Sequence, residues 1–452
     1  MTKPKVGFVG FGEVNTPREI IEKKCRHAVG WLESAGLDVV ATAPVSDDPE
    51  GNDVRRAVAE LAGADFDLLI TCLAGWIPSH AVVSVASEFA THPILLWGLS
   101  GQVEGGRLVT TADQAGTTAL RQTMQDLGLR IKYVPSFQDA PPPMEKIAAF
   151  AHVASAVKAL RHAKIGMMGF RDMNLYGTLY DGVSLRRRLG VEVEFFEMLE
   201  MVQRVEHVTP AAVAEVLAAI RQKWVFERPA QAEVLEKGVK YYLALREKVR
   251  ERKYQAVSLI DVDGMKKLLK FPPAMIFMLL ADELGVCTIP ENDVLGSVTQ
   301  TITRALTGQA GAYLEFYEFF SHGVLMGVPD YVPSEVVECP VKVTPTSFGG
   351  LAGGILNTSR LKTGKVTLCR LASRGDQYTL HVVTGDARTP QRWEEAGWAP
   401  PAPQLPGLDI RLDSDMEDFS QNVFGQHYIL SYGDNTGLFR DFCRLTGIAF
   451  LG

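Results

Sequence analysis

The sequence has no closely spaced cysteines, no apolar run long enough to span a bilayer, no excess of positive charge and no complete dinucleotide fingerprint. Its six cysteines, at 25, 72, 287, 339, 369 and 443, are scattered, and Cys72 and Cys287 fall inside apolar strands. This spacing excludes a disulfide framework and a Cys-type zinc site, and fits buried thiols in a reducing compartment. Lys and Arg number 46 against 53 Asp and Glu, a net charge of −7, which gives no general attraction to nucleic acid or to an anionic membrane. No run is long enough for a membrane span. Met1-Thr2-Lys3-Pro4-Lys5 leads straight into an apolar strand rather than an export leader, so the expectation is a cytoplasmic protein. Gly10-Phe11-Gly12 lacks the third small residue of a nucleotide-binding turn: position 15 is Asn15, and Pro17 falls early in the next helix. A tight turn at the ligand edge of a sheet is the better reading.

What is present is strand and helix in alternation. Lys5 to Gly12 reads as a strand entering a glycine turn, Arg18 to Ala35 as an amphipathic helix stopped by Gly36, and Phe66 to Cys72 and Pro93 to Trp97 as further strands. Lys164 to Phe170 restarts the pattern of residues 5 to 12. Thr209 caps a helix, and the charged helix from Gln231 to Lys253 reads as a solvated face. From about Cys339 the pattern turns to β: Gly349 to Gly354 resembles a hinge, and Gly364 to Leu371 and Gln377 to Asp386 read as a hairpin, with His381 a structural strand residue. A length of 452 residues suits about three domains. The expected fold is α/β: two Rossmann-like doubly wound parallel-sheet domains, 1–163 and 164–340, followed by a β-rich C-terminal domain, 341–452.

The most informative stretch is Pro290-Glu291-Asn292-Asp293-Val294-Leu295-Gly296, followed by Tyr313-Leu314-Glu315. Each glutamate ends an apolar run, with a helix-like segment between. Read as a parallel strand pair, this puts both carboxylates at like ends of their strands, the ligand edge of an open α/β sheet. Converging carboxylates need a shared proton or a cation, and we read them as ligands of a divalent metal; a solvated pair or a helix cap is the plain alternative. Trp76 follows a strand end, where it can stack on a sugar or serve a core or subunit contact. For Arg171 the plain reading is a surface salt bridge, and for Met173 core packing.

These segments resemble the L-fucose/L-arabinose isomerase family. Its Glu-Asn-Asp-x-x-x-Gly type motif, matched here by Glu291-Asn292-Asp293 with Gly296 one position early, is followed by a second acidic ligand, here 24 residues on, from 291 to 315. Gly169-Phe170-Arg171-Asp172-Met173-Asn174-Leu175-Tyr176 is similar to the family's Gly-x-Arg-x-Met-x-x-Tyr turn, and Gly364 to Leu371 to its Gly-x-Val-Thr-Leu-x-Arg-Leu hairpin. His427, with Gly433-Asp434 beyond it, matches the family's His-x-x-x-x-x-Gly-Asp segment. The resemblance implies that Glu291, Glu315 and His427 hold the metal, that Arg171, Met173, Trp76 and Lys266 (or its neighbour Lys267) bind substrate, with Asn422 set beside them, and that the chain is a homo-oligomer, a hexamer or a trimer or dimer, with sites at subunit interfaces. The chain departs from the arabinose-isomerase pattern at Val328, where a further metal-binding His is expected; only His322 lies nearby in sequence.

Two carboxylates and one imidazole suit Mn²⁺, or Mg²⁺ or Co²⁺, better than zinc. Such an ion can take O1 and O2 of a sugar, and Glu291 and Glu315 can move a proton between C1 and C2 through a cis-enediol. The expectation is therefore a metal-dependent aldose–ketose isomerase with no organic cofactor and a sugar substrate. Arg18, Arg171, Lys266 and Lys267 together could serve a substrate with an anionic group. The rival is a non-catalytic sugar-binding or regulatory protein of the bilobed type, which has no need of the Glu–Glu–His set.

Overall fold

The computed structural model describes residues 3–328, 331–348, 350–390 and 406–452. Pro329, Asp330 and Gly349, which belong to segments discussed above, lie outside them. The chain forms two compact units, residues 1–158 with 444–447, and residues 159–443 with 448–452. It is a mixed α/β protein with parallel sheets and a C-terminal antiparallel barrel. Among the described residues no helix is long and apolar enough to cross a membrane.

The first unit is built on five parallel strands, β1 (Lys5–Phe11), β2 (Asp38–Ala41), β3 (Leu68–Leu73), β4 (Ile94–Gly98) and β7 (Ile131–Pro135), in the order β2-β1-β3-β4-β7. The small hairpin β5 (Gln102–Glu104) and β6 (Arg107–Val109) interrupts the winding. β3 and β4 are buried along their whole length, as continuous apolar strands of a parallel sheet must be when both faces are covered. Gly10 is required here for space: a Cβ on it would lie 2.2 Å from the Cys25 sulfur of helix Arg18–Ser34.

The second unit opens with β8 (Lys164–Met168), β9 (Glu192–Phe196), β11 (Ala256–Leu259) and β12 (Cys287–Ile289), all parallel and ordered β9-β8-β11-β12. This is the same winding order as β2-β1-β3-β4. Thr209 accepts from the Ala212 N–H at the start of helix Pro210–Lys223, as its position ahead of the apolar period predicts. The charged helix is Ala232–Arg252, but one side of it is buried: Val239, Tyr242, Leu243 and Leu245 join the core over this sheet. Short strand β10 (Trp224–Phe226) pairs with β15 (Val341–Thr346), which pairs in turn with β16 (Gly354–Asn357).

The C-terminal strands close a barrel. β13 (Ala312–Phe320), β14 (Gly323–Gly327), β17 (Gly364–Arg374), β18 (Gln377–Arg388), β19 (Gly407–Leu412) and β20 (His427–Tyr432) run in the order β17-β20-β13-β14-β19-β18, and β18 returns to β17. Every neighbouring pair is antiparallel, and a last strand, β21 (Ala449–Leu451), adds to β18 in parallel. Closure removes the open edges that a sheet would otherwise expose. Leu314, Met326, Leu368, Leu408 and Tyr428 fill the interior.

The barrel corrects one expectation. β12 and β13 are not a parallel pair flanking a helix: β12 is in the parallel sheet, whereas β13 is an antiparallel barrel strand between β14 and β20. The barrel thus takes two strands from before residue 340. An apolar run such as Ala310 to Leu314 has the same local pattern in either setting, so the pattern does not reveal its partner.

Candidate active site

Glu291 stands just beyond β12, at the C-terminal edge of the four-stranded sheet, where ligands of open α/β sheets bind. The turn that presents it is unusual. Glu291 and Asn292 both take left-handed backbone, at φ 65° and 54°, a conformation that L-residues with side chains seldom adopt and that concentrates at functional positions. Asn292 holds the turn in place: its amide nitrogen donates to Met168 O, 2.9 Å, at the end of β8, and its backbone N–H to Leu259 O, 3.3 Å, at the end of β11. Asp293 then caps helix Val294–Thr307, its carboxylate accepting from the Gly296 N–H at 2.8 Å.

Glu315 and His427 come from the barrel, where they are direct partners on β13 and β20. Strand side chains alternate between faces. Leu314 and Tyr428 enter the barrel interior, so Tyr313, Glu315 and His427 point the other way. The imidazole bridges the two carboxylates: His427 Nδ1 lies 3.9 Å from Glu291 Oε2, and Nε2 lies 4.0 Å from Glu315 Oε1. Glu291 and His427 are buried, while the Glu315 side chain keeps 24% of its surface exposed. Sequence reasoning therefore chose three residues that the fold brings together, although by a different route from the parallel pair it assumed.

Among the described residues no group of three or more His, Cys, Asp or Glu side chains stands close enough together to hold a metal ion. The geometry is a row of pairs. Two ligands at right angles on an octahedral ion with ~2.1 Å bonds stand about 3 Å apart, so the pair that shares Nε2, Nε2 with Glu315 at 4.0 Å, is about an ångström wider than that. The donor set itself, two carboxylates and one imidazole, fits a hard divalent cation.

Three further residues support this row. Tyr313 stacks on His427 with ring centres 4.3 Å apart, and its hydroxyl lies 2.7 Å from His427 Nδ1 and donates to Asp293 Oδ2 at 2.8 Å. Arg370, on β17, closes a two-point ion pair with Asp293. Burial alone would raise the Asp293 pKa, but the Arg370 guanidinium outweighs it and holds the carboxyl below its usual range. Burial, reinforced by Asp293 and Glu291, pushes the Tyr313 phenol well above its ordinary value. Gly296 is needed for space: a Cβ would come within 2.4 Å of Asp293 Oδ2 and 2.9 Å of Arg370 Nη1. The segments that hold these residues stood out in the sequence, but no supporting role could be read for the residues themselves. Tyr313 left a signal, because it lies two positions before Glu315 on a strand and so shares its face.

The substrate-binding candidates are more dispersed. Among the described residues Arg171 has no salt-bridge partner; its guanidinium folds onto the carbonyls of Asn174 and Leu175 and lies 4.5 Å over the Tyr176 ring. Met173 is not packed in a core. It is 37% exposed at φ 46°, its N–H donating to Asp263. Buried Asp172, missed in the sequence, accepts from the N–H groups of Val262 and Asp263 and so ties this turn to the one after β11. Lys266 is buried, 3.0 Å from Asp261 and 4.3 Å over the Phe348 ring, whereas Lys267 is exposed and paired with Asp263. Arg18, in the first unit, pairs with Glu22 and Asp53. The four cations are thus each engaged locally. Asn422 ends helix Met416–Asn422, its amide bound to Asp418. Trp76, in the first unit, is 40% exposed.

Position 328 offers no ligand: Val328 is part of the barrel core. His322 does not replace it. It sits in the β13–β14 turn at the far end of the hairpin from Glu315, roughly 15–20 Å along the strand, where with Arg388, Asp409 and Arg411 it lines a cavity of about 380 Å³.

No family model matches this chain. The chain is similar to a sulfoquinovose isomerase from Priestia megaterium, 21% identical over 399 residues, which cover 86% of this chain and 86% of that protein. It is also similar to an L-arabinose isomerase from a Thermotoga species, 25% identical over 248 residues, 53% of this chain and 49% of that one. A solute-binding protein of an ABC transporter from Burkholderia multivorans overlays with a TM-score of 0.18 at 10% identity, over 69% of this chain and 95% of that one, a likeness too slight to carry an argument.

Proposed function

We propose that this chain is a cytoplasmic, metal-dependent aldose–ketose isomerase whose substrate is a sugar bearing an anionic group, with sulfoquinovose as the first candidate. One observation carries the reading: Glu291, Glu315 and His427, from three separate segments, meet as two carboxylates about one imidazole with separations of 3.9 and 4.0 Å. The sulfoquinovose isomerase relative, alike over most of both chains, supports the substrate class. The reading includes two Rossmann-like halves, which the shared strand order of the parallel sheets favours. It also includes a homo-oligomer, whose contacts would cover exposed apolar side chains such as Tyr176, Val183 and Leu199.

In this reading Glu291, Glu315 and His427 hold Mn²⁺, or Mg²⁺ or Co²⁺. When bound, such an ion polarises the sugar carbonyl and acidifies the neighbouring C–H. The chain's own groups do the rest. Glu315, the more open carboxylate, takes the proton from C2; the C–H electron pair becomes the C1=C2 bond and the C1=O1 pair moves onto O1. The proton of O2–H passes to O1, and as an O2 pair forms the ketone C2=O the C1=C2 pair takes the proton back from the Glu315 carboxyl at C1. Buried Glu291 stays fixed beside His427, and Lys266 and Arg171 are the candidates for the anionic end of the sugar. No organic cofactor is needed.

The test is removal and return of the ion. Chelation should abolish interconversion of sulfoquinovose and its ketose, followed by NMR of the sugar carbons, and Mn²⁺ should restore it. Full turnover by protein shown to be metal-free by elemental analysis would sink the reading.

A further inference from the structure

The hydrogen bonds around Asp293 leave little choice about where the protons sit. Its Oδ1 accepts from the Gly296 N–H at 2.8 Å and from Arg370 Nη2 at 3.0 Å, and its Oδ2 accepts from Arg370 Nη1 and from the Tyr313 hydroxyl at 2.8 Å. A guanidinium and a backbone amide only donate, so the carboxylate is surrounded by donors. Tyr313 has one proton. If that proton turned toward His427, two oxygen lone pairs would face each other in a buried site, at the cost of an unmade hydrogen bond. The proton therefore points to Asp293. The Tyr313 oxygen is then an acceptor, and the group 2.7 Å away, His427 Nδ1, must be the donor. In a neutral imidazole this leaves Nε2 without a proton; Nε2 is the nitrogen on the Glu315 side and lies 3.5 Å from the Gln426 side-chain nitrogen.

We infer that Arg370, Asp293 and Tyr313 form a positioning relay that fixes the tautomer and ring orientation of His427, so that Nε2 is presented as an unprotonated ligand atom. This rests on the metal-site reading above. None of the three relay residues touches substrate. They act through His427, as the groups behind a ligating histidine commonly do, and their loss typically costs 10- to 100-fold in metal affinity. Gly296 belongs to the same device, because only a residue without a side chain lets Asp293 and Arg370 close. The relay begins on β17, passes through the cap of helix Val294–Thr307, and ends on β13 and β20. It therefore ties the tautomer of one ring to the docking of helix and barrel.

Two measurements test it. In metal-free protein with ¹⁵N-labelled histidine, the His427 resonances, assigned by their loss in His427→Gln, should show Nδ1 protonated and Nε2 bare. Tyr313→Phe, which keeps the stacked ring, should give mixed tautomers. Asp293→Asn keeps the helix cap but turns an amide N–H toward Tyr313, so the phenol proton should swing to His427 and the other tautomer should appear. By calorimetry, Tyr313→Phe should bind Mn²⁺ 10- to 100-fold more weakly. Tyr242→Phe, which loses a hydroxyl bonded to Glu283 elsewhere in the unit, should bind as wild type. A protonated Nε2 in the wild-type protein, or unchanged Mn²⁺ affinity in Tyr313→Phe, overturns the inference. If wild-type protein binds no Mn²⁺ at all, the functional reading falls, and the resonances still decide the relay.

Discussion

Asp293 and Arg370, 77 positions apart in sequence, form a two-point ion pair with side chains only 3% and 7% exposed. Breaking a buried pair by removing one partner strands the other charge away from water. Arg370→Met should therefore lower unfolding free energy by about 3–5 kcal/mol. The double variant Asp293→Asn with Arg370→Met should be less harmed than Arg370→Met alone, because no lone charge remains and Asn still caps the helix. Urea unfolding of the single and double variants measures both. A single-variant loss below about 1 kcal/mol would mean that the pair contributes little.

Gly296→Ala sets two effects against each other. Alanine favours a helix by up to ~1 kcal/mol over glycine, but the new methyl would press on Asp293 Oδ2 and the Arg370 guanidinium. Forcing a methyl into packed surroundings costs about 1–3 kcal/mol. The variant should melt lower and bind Mn²⁺ more weakly than wild type. A higher melting temperature would show that the site yields without strain.

Glu315→Gln should lose turnover by about 10²–10⁴-fold, the usual contribution of a positioned acid–base group. Its side chain is partly exposed, so the thermal midpoint and circular dichroism should stay near wild type. Retained turnover would remove Glu315 from the proton transfer.

His381 gives an acid dependence that belongs to the barrel rather than the site. Burial among Phe419, Phe424 and Tyr428 pushes its pKa down from 6.5 to about 4. The unfolded chain takes up the proton first. Stability is therefore full above pH 6.5 and falls as pH drops toward 4, by roughly 3 kcal/mol. In His381→Gln this part of the slope should be missing. Unfolding curves at several pH values check it, and equal slopes in both proteins would refute it.

The alternation of strand and helix in the first unit, the Thr209 cap and the β-rich end were legible because each rests on local spacing. The pairing of Glu315 with His427 was not, because register between distant strands leaves no mark on either strand alone. Arg370 illustrates the same limit. A charge flanked by buried Cys369 and Leu371 announces that a partner must exist, but only the barrel brings it to Asp293. Lys266 and Lys267 were indistinguishable by neighbourhood, and burial separates them.

Because Glu315 and His427 are set opposite one another on adjoining strands, the candidate site is sensitive to chain length on one side and tolerant on the other. One amino acid inserted at Leu314 would send the Glu315 carboxylate into the oily lumen and bring a hydrophobic side chain out in its place. The same insertion at Ser321, in the loop joining β13 to β14, would leave that pairing untouched. Length variation among descendants of this chain should therefore collect at the loop and be purged ahead of the glutamate.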